Sequence, residues 1–208
     1  MPPAPQEHPF NPLDRVALAQ SIERELLTRP CVPLPPTAFD GAGVYAIYYK
    51  GDFPAYAPVS SPECDAPIYV GKAVPPGARR GGFLEAPAGR ALHRRLGEHA
   101  ESIIQATNLE TAHFRCRYLV VEDIWIPLGE TILISHTRPV WNFVVDGFGK
   151  HDPGRGRRAG RRSLWDEMHP GRRWSVHEQP ASLTSTQILQ RIAEFFAGEL
   201  PVEELVDE

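Results

Sequence analysis

Long apolar runs are missing from these 208 residues. None approaches the ~20 apolar residues in a row that a bilayer-spanning helix needs, so the chain reads as a soluble protein with no membrane partner. Cysteine is scarce: Cys31, Cys64 and Cys116 are an odd number, widely spaced and without a CxxC pair. That pattern speaks against a disulfide scaffold or a cysteine zinc cluster, and for a reducing cytoplasm. The opening string MPPAPQEHPF lacks the basic and apolar segments of a secretion signal, in keeping with the same cytoplasmic expectation. No HExxH or HxxEH string offers a zinc site, and no GxSxG string offers a serine nucleophile. Gly71-Lys72-Ala73 lacks the glycine pattern and the Ser/Thr of a phosphate loop. No internal repeat is visible.

Proline and locally concentrated charge are what the chain has in quantity. Sixteen of its 22 prolines gather in residues 2–12, 30–36 and 54–87, which reads as extended arms and loops around an ordinary core. Net charge is −4, yet the average hides a segregation. Residues 72–95 carry six cations against Glu85 alone, and residues 150–173 carry eight against three acids, so each segment is +5. Residues 178–208 hold Arg191 against seven acids. Screening confines surface potentials to about 8–10 Å, so regional charge decides whether a polyanion is attracted. Arginine dominates both basic segments, and its fork matches phosphates and guanine edges.

The pattern of apolar residues places the elements. Residues 12–29 read as an amphipathic helix with Val16, Leu18, Ala19, Ile22, Leu26 and Leu27 on its apolar side, stopped by Pro30. Residues 31–37 read as an extended connector. Residues 44–49 and 68–70 are β-branched and aromatic, as strands are, and 114–121 alternates as a third. The segment 50–67 is too long for a tight turn, which suggests a functional loop. A helix is expected over about 88–107, burying Leu92, Leu96, Ala100, Ile103 and Ile104. Another begins near Pro127 and ends before Pro139. The last, over 185–200, has Ile188, Ile192, Phe195 and Phe196 as its apolar side.

Chemistry-bearing residues fall in a definite order on these elements. Gly43-Val44-Tyr45 and Tyr69-Val70-Gly71 each place a tyrosine on a strand. Arg95 and His99, four apart, share one face of a helix. Glu130 is the only carboxylate between Ile124 and Val145, and Asn142 follows it. Two phenols, a guanidinium, an imidazole, one carboxylate and an amide suit attack on a phosphodiester.

The order GVY, YVG, R-x-x-x-H, E, N resembles the GIY-YIG nuclease superfamily, with the likeness running from Gly43 to Asn142. The strings YVGKAVP, RLGEHAESI and WDEMHPGR look like its type II restriction branch, which cuts GC-rich palindromes. This resemblance implies an α/β fold in which a small three-stranded antiparallel sheet is flanked by helices. It implies a single nuclease domain with a core over about 41–145, an N-terminal arm and helix over 1–40, and a basic loop and C-terminal helix over 146–208. Long inserts at 50–67 and 75–89 fit a restriction enzyme better than a minimal repair module.

The resemblance also assigns roles. Tyr45 is the candidate general base toward water, helped to its phenolate by Lys72 and Arg95, with His99 taking or steering its proton. Tyr69 would hydrogen-bond the phosphate or the water, which leaves the choice of base between the two tyrosines open. Lys72 and Arg95 would hold the phosphate, and Glu130 would hold one Mg²⁺ (or Mn²⁺). Asn142 would steady Glu130 or a metal-bound water, though a cap or turn role is equally open. By charge clustering alone, and not by the resemblance, Arg79, Arg80, Arg90, Arg94, Lys150, Arg155, Arg157, Arg158, Arg161 and Arg162 are the candidate DNA contacts. The implied partners are double-stranded DNA, a second copy in a homodimer, and a cognate DNA methyltransferase. A GIY-YIG nicking nuclease of the structure-specific or mobile-element kind, or an inert DNA-binding protein, would share many of these features.

Overall fold

The β-branched and aromatic stretches pair into an antiparallel sheet. The structure, a computed structural model, describes residues 14–75, 89–150, 152 and 160–200. Strands β1 (Val32–Pro33), β2 (Gly43–Tyr49), β3 (Pro67–Ala73) and β4 (Phe114–Val120) take the order β1-β4-β2-β3. The sheet therefore has four strands rather than the expected three. The extra one is a two-residue edge strand inside the proline-rich connector, where Val32 and Pro33 lie opposite Cys116 and Arg115. Proline lacks an N–H, and an edge is where a strand tolerates that.

β2 is central, and every one of its residues is buried. Side chains alternate across a sheet, so its two faces need separate cover. Helices α1 (Arg15–Thr28) and α3 (Ile126–Thr137) pack together and cover the face carrying Val44. Helix α2 (Ala91–Gln105) covers the face carrying Tyr45. α2 buries Leu92, Leu96, His99, Ala100 and Ile103, spacings that put one stripe against the sheet. Each such leucine contributes about 1.5–3 kcal/mol when buried. Ile104 lies a third of a turn past Ile103 and is 61 % exposed, against expectation. Val16 and Leu27 on α1 are also exposed, leaving Leu26 and the half-buried Ile22 facing inward.

Two short helices and a longer terminal one complete the fold. Helix α4 (Val140–Phe143) follows Pro139, α5 (Leu164–Met168) is capped by Ser163, and α6 (Ser185–Ala197) opens on a capping box between Thr184 and Gln187. α6 buries Ile188 and Ile192, with Phe195 and Phe196 packed beside them. The insert after β2 carries a 3₁₀ turn at Pro54–Val59 that buries Tyr56.

Cys31 and Cys64 are joined by a disulfide, 33 residues apart in sequence. This corrects the expectation that the cysteines do not pair. The pairing is tertiary: Arg117 on β4 donates to the carbonyls of both Arg29 and Cys64, at 3.0 and 2.8 Å, and so gathers the two segments. Cys116 is the free, buried thiol, and burial pushes it up to about 12. Among the described residues, no helix is long and apolar enough to cross a membrane.

Candidate active site

A cleft of about 490 Å³ opens beside β3 and is lined by Tyr45, Tyr69, Lys72, Arg94, Arg95, Glu98, Glu130 and Gly149, among others. Its walls come from four elements on both faces of the sheet. β2 and β3 bring the tyrosines to one side, α2 brings Arg95, and α3 brings Glu130 from the other.

Tyr45 lies directly opposite Gly71 in the β2–β3 register. A Cβ at position 71 would collide with the Tyr45 hydroxyl, so glycine is the residue that lets the phenol lie across its neighbour. Tyr45 is fully buried, and its hydroxyl is 2.6 Å from Nε2 of His99. The His99 ring is itself buried, stacked on Phe148 at 4.4 Å and edge-on to Tyr69 at 5.1 Å. Tyr69 is half-buried, its ring 6.3 Å from that of Tyr45.

Burial raises the pKa of both phenols, making them weaker acids. For Tyr45 the shift is well above the ordinary value of 10, with Tyr69 adding to it and Arg95 opposing it. For Tyr69, burial again comes first, opposed by Arg95 and supported by Glu130. The expectation of a ready phenolate is corrected: loss of hydration outweighs the nearby cation. At neutral pH Tyr45 is a hydroxyl that can hand a proton to His99 as it takes one from elsewhere.

Arg95 is 20 % exposed at its side chain. Nη1 pairs with Oε2 of Glu98 at 3.1 Å, and Nη2 donates to the Gly149 carbonyl at 2.9 Å. Sequence reading missed both partners. Glu98 carries a usable signal, three residues after Arg95 on the same helix; the Gly149 carbonyl carries none.

Lys72 lies within β3, and its Nζ forms an ion pair with Glu130. Among the described residues there is no cluster of three or more His, Cys, Asp or Glu side chains suited to a metal ion. A single carboxylate still fits Mg²⁺, which keeps several waters and takes phosphate oxygens as ligands. Glu130 already holds a cation, the Lys72 ammonium, on the cleft wall, so its donor chemistry suits that ion.

Asn142 stands elsewhere than expected. Its Oδ1 accepts from the Val70 N–H at 2.8 Å, and its Nδ2 donates to the Val70 carbonyl at 2.9 Å. Its amide therefore holds β3 between Tyr69 and Gly71, and does not support Glu130.

The candidate DNA contacts divide. Arg94 lines the cleft with its side chain 66 % exposed. Arg90 and Lys150 are exposed, each with a long ion pair, to Asp40 at 3.6 Å and to Asp146 at 3.8 Å. Arg161 is exposed. Arg162 is instead drawn inward, pairing with Glu167 at 3.2 Å and donating to the Ser175 carbonyl at 3.4 Å. Arg79, Arg80, Arg155, Arg157 and Arg158 lie outside the described residues.

The profile of the Eco29kI GIY-YIG domain, from a family of type II restriction enzymes, matches residues 37–196. That span runs from just before β2 into α6 and includes every cleft residue named above. No curated protein matches the chain.

Proposed function

This chain belongs to the Eco29kI GIY-YIG domain family, a group of restriction-type DNA endonucleases, and from that premise we propose that it cuts both strands of a short GC-rich palindrome with Mg²⁺. The observation that carries this reading is the meeting of Tyr45, Tyr69, Lys72, Arg95 and Glu130 in one cleft, with His99 behind Tyr45.

The chain's own groups divide the work of hydrolysis. Water attacks phosphorus while its proton passes to the Tyr45 oxygen, and the Tyr45 proton passes to Nε2 of His99. General-base help of this kind contributes about 10²–10⁴-fold. The bond to the 3′ oxygen breaks and that oxygen takes a proton from solvent, leaving a 5′ phosphate and a 3′ hydroxyl. Arg95 binds a non-bridging oxygen and stabilises charge as phosphorus becomes five-coordinate. It is already oriented by Glu98 and Gly149. Lys72 reaches the same side of the cleft as Glu130 and neutralises a second phosphate oxygen. Tyr69 donates to the phosphate or positions the water. When held at Glu130, Mg²⁺ supplies Lewis-acid stabilisation of the leaving oxygen.

Each chain carries one such set, and a palindrome has a two-fold axis. A homodimer in which each subunit cuts one strand is the simplest assembly. Arg94 on the cleft wall, with the exposed Arg90 and Arg161 and with Arg79, Arg80, Arg155, Arg157 and Arg158 of the basic segments, reads guanines in the major groove. A cognate methyltransferase would protect the host's own sites. The deciding experiment incubates the purified chain with GC-rich plasmid DNA and Mg²⁺, then with chelator. Discrete fragments that vanish on chelation support the reading. Intact plasmid under every divalent ion, or nicks at random positions, defeats it.

A further inference from the structure

The string Trp165–Arg172 contributes nothing to the cleft wall, yet it holds the most fully engaged ion pair in the described structure. Arg172 is 2 % exposed. Its Nε and Nη2 grip the Asp166 carboxylate at 2.7 and 2.9 Å. The other N–H groups donate to the carbonyls of Gly147 (2.9 Å), Phe148 (3.3 Å) and Lys150 (3.0 Å). All five donors of the guanidinium are thereby used. Its Cζ lies over the rings of Trp165 and Trp174, 4.4 and 4.9 Å from their centroids. Asp166 is held in turn by the Ser163 hydroxyl at 2.6 Å.

The three carbonyls gripped by Arg172 belong to one turn, closed by the Lys150 N–H on the Gly147 carbonyl at 3.0 Å. The carbonyl left out is that of Gly149, which accepts from Arg95. The same turn carries Phe148, the ring against which His99 stacks. Residues 147–150 are thus clamped between two guanidiniums, one inside the fold and one at the cleft. Burying a charged pair is poor economy for stability alone, since apolar residues of like volume often hold a fold as well. What it supplies here is direction: a planar fork fixes three acceptors at once.

We propose that Arg172, oriented by Asp166, is a positioning residue for DNA cleavage, holding the 147–150 turn so that the Gly149 carbonyl aims Arg95 and Phe148 aims His99. The proposal rests on the nuclease reading above. An error of about 1 Å in a reacting group can cost on the order of 10²-fold in rate.

The test is single-turnover cleavage by Arg172→Lys, which keeps the charge and loses the fork. A stability defect lowers the amplitude, because fewer molecules are active. A positioning defect lowers the rate constant of those that are. The expected result is a retained amplitude, DNA binding unchanged without metal, and a rate constant lower by about 10²-fold. A rate constant equal to that of the unaltered chain overturns the proposal. Should Arg172→Lys fail to fold, Gly149→Ala decides: its Cβ would meet the Tyr69 hydroxyl at 2.8 Å and Arg95 Nη2 at 3.1 Å. A slower rate constant with an unchanged melting temperature supports the proposal, and an unchanged rate constant overturns it. Should the unaltered chain cut no DNA, the nuclease reading falls by itself. The positional claim is then read from the His99 ring proton resonances, which stacking on Phe148 is expected to displace upfield. Loss of that displacement in Arg172→Lys, or in Gly149→Ala if the former does not fold, upholds the positioning, and an unmoved signal refutes it.

Discussion

The Tyr45 hydroxyl and Nε2 of His99 lie 2.6 Å apart, with both side chains buried. The two residues are 54 positions apart in sequence, and Gly71 keeps the space over the phenol open. Tyr45→Phe keeps the ring and removes the proton path. Its single-turnover cleavage rate is expected to fall by about 10²–10⁴-fold, the range for general acid–base help, with DNA affinity unchanged. A variant that cuts at the original rate would exclude the Tyr45–His99 relay.

Glu130 and Lys72 neutralise one another in the cleft. Glu130→Gln is expected to abolish cleavage while DNA binding, measured by gel shift in chelator, is retained or strengthened. Lys72→Met frees the carboxylate from its ammonium partner. It is expected to raise the affinity for Mg²⁺ measured by calorimetry without DNA, even as it slows cutting. Weaker Mg²⁺ binding by Lys72→Met would count against Glu130 as the ion's ligand.

Arg95 is oriented at both ends of its fork. Arg95→Ala is expected to lower transition-state stabilisation by about 3 kcal/mol, on the scale of losing one oxyanion donor. Arg95→Lys should recover little, since one ammonium cannot keep Glu98 and Gly149 while binding phosphate. Rate constants across the series, at saturating DNA, test this. Full activity in the lysine variant would point to charge alone.

His169 is a separate pH probe. It is fully buried, with Nε2 2.6 Å from the Tyr56 hydroxyl and Nδ1 2.9 Å from Oδ1 of Asn108. Burial first, then Arg172, lowers it to about 3. The unfolded chain takes up its proton near 6.5, so unfolding binds a proton that folding refuses. His169 therefore contributes full stability above about 6.5, and that share is lost as pH falls toward about 3. The slope is about 1.4 kcal/mol per pH unit within that window. Urea unfolding from pH 7 to 4 should show His169→Gln less pH-dependent than the unaltered chain. Parallel curves would mean that His169 is protonated in the fold.

Local chemistry made much of this molecule legible in the sequence. Strand residues around Tyr45 and Tyr69 announce themselves by β-branching, and the Arg95–His99 spacing fixes one helical face whatever surrounds it. What failed depends on distant partners. The pairing of Cys31 with Cys64 requires Arg117 to draw two loops together, and no spacing encodes that. Asn142 was open between a metal-side role and a turn role; its two bonds to Val70 depend on where α4 lies against β3. The charge state of Tyr45 turned on dehydration, a property of the folded interior that its sequence neighbours do not reveal. Arg162 looked like its basic companions, yet Glu167 claims it.

The strand order leaves β3, which carries Tyr69 and Lys72, at the rim of the sheet. A rim strand offers bare amides and carbonyls to any passing chain. At Val70 both are already taken by a side chain that imitates a peptide group. At that position the edge is blocked, so a neighbouring strand could not continue its ladder of bonds past Val70. In the homodimer proposed above, two copies would not pair strand to strand across Val70.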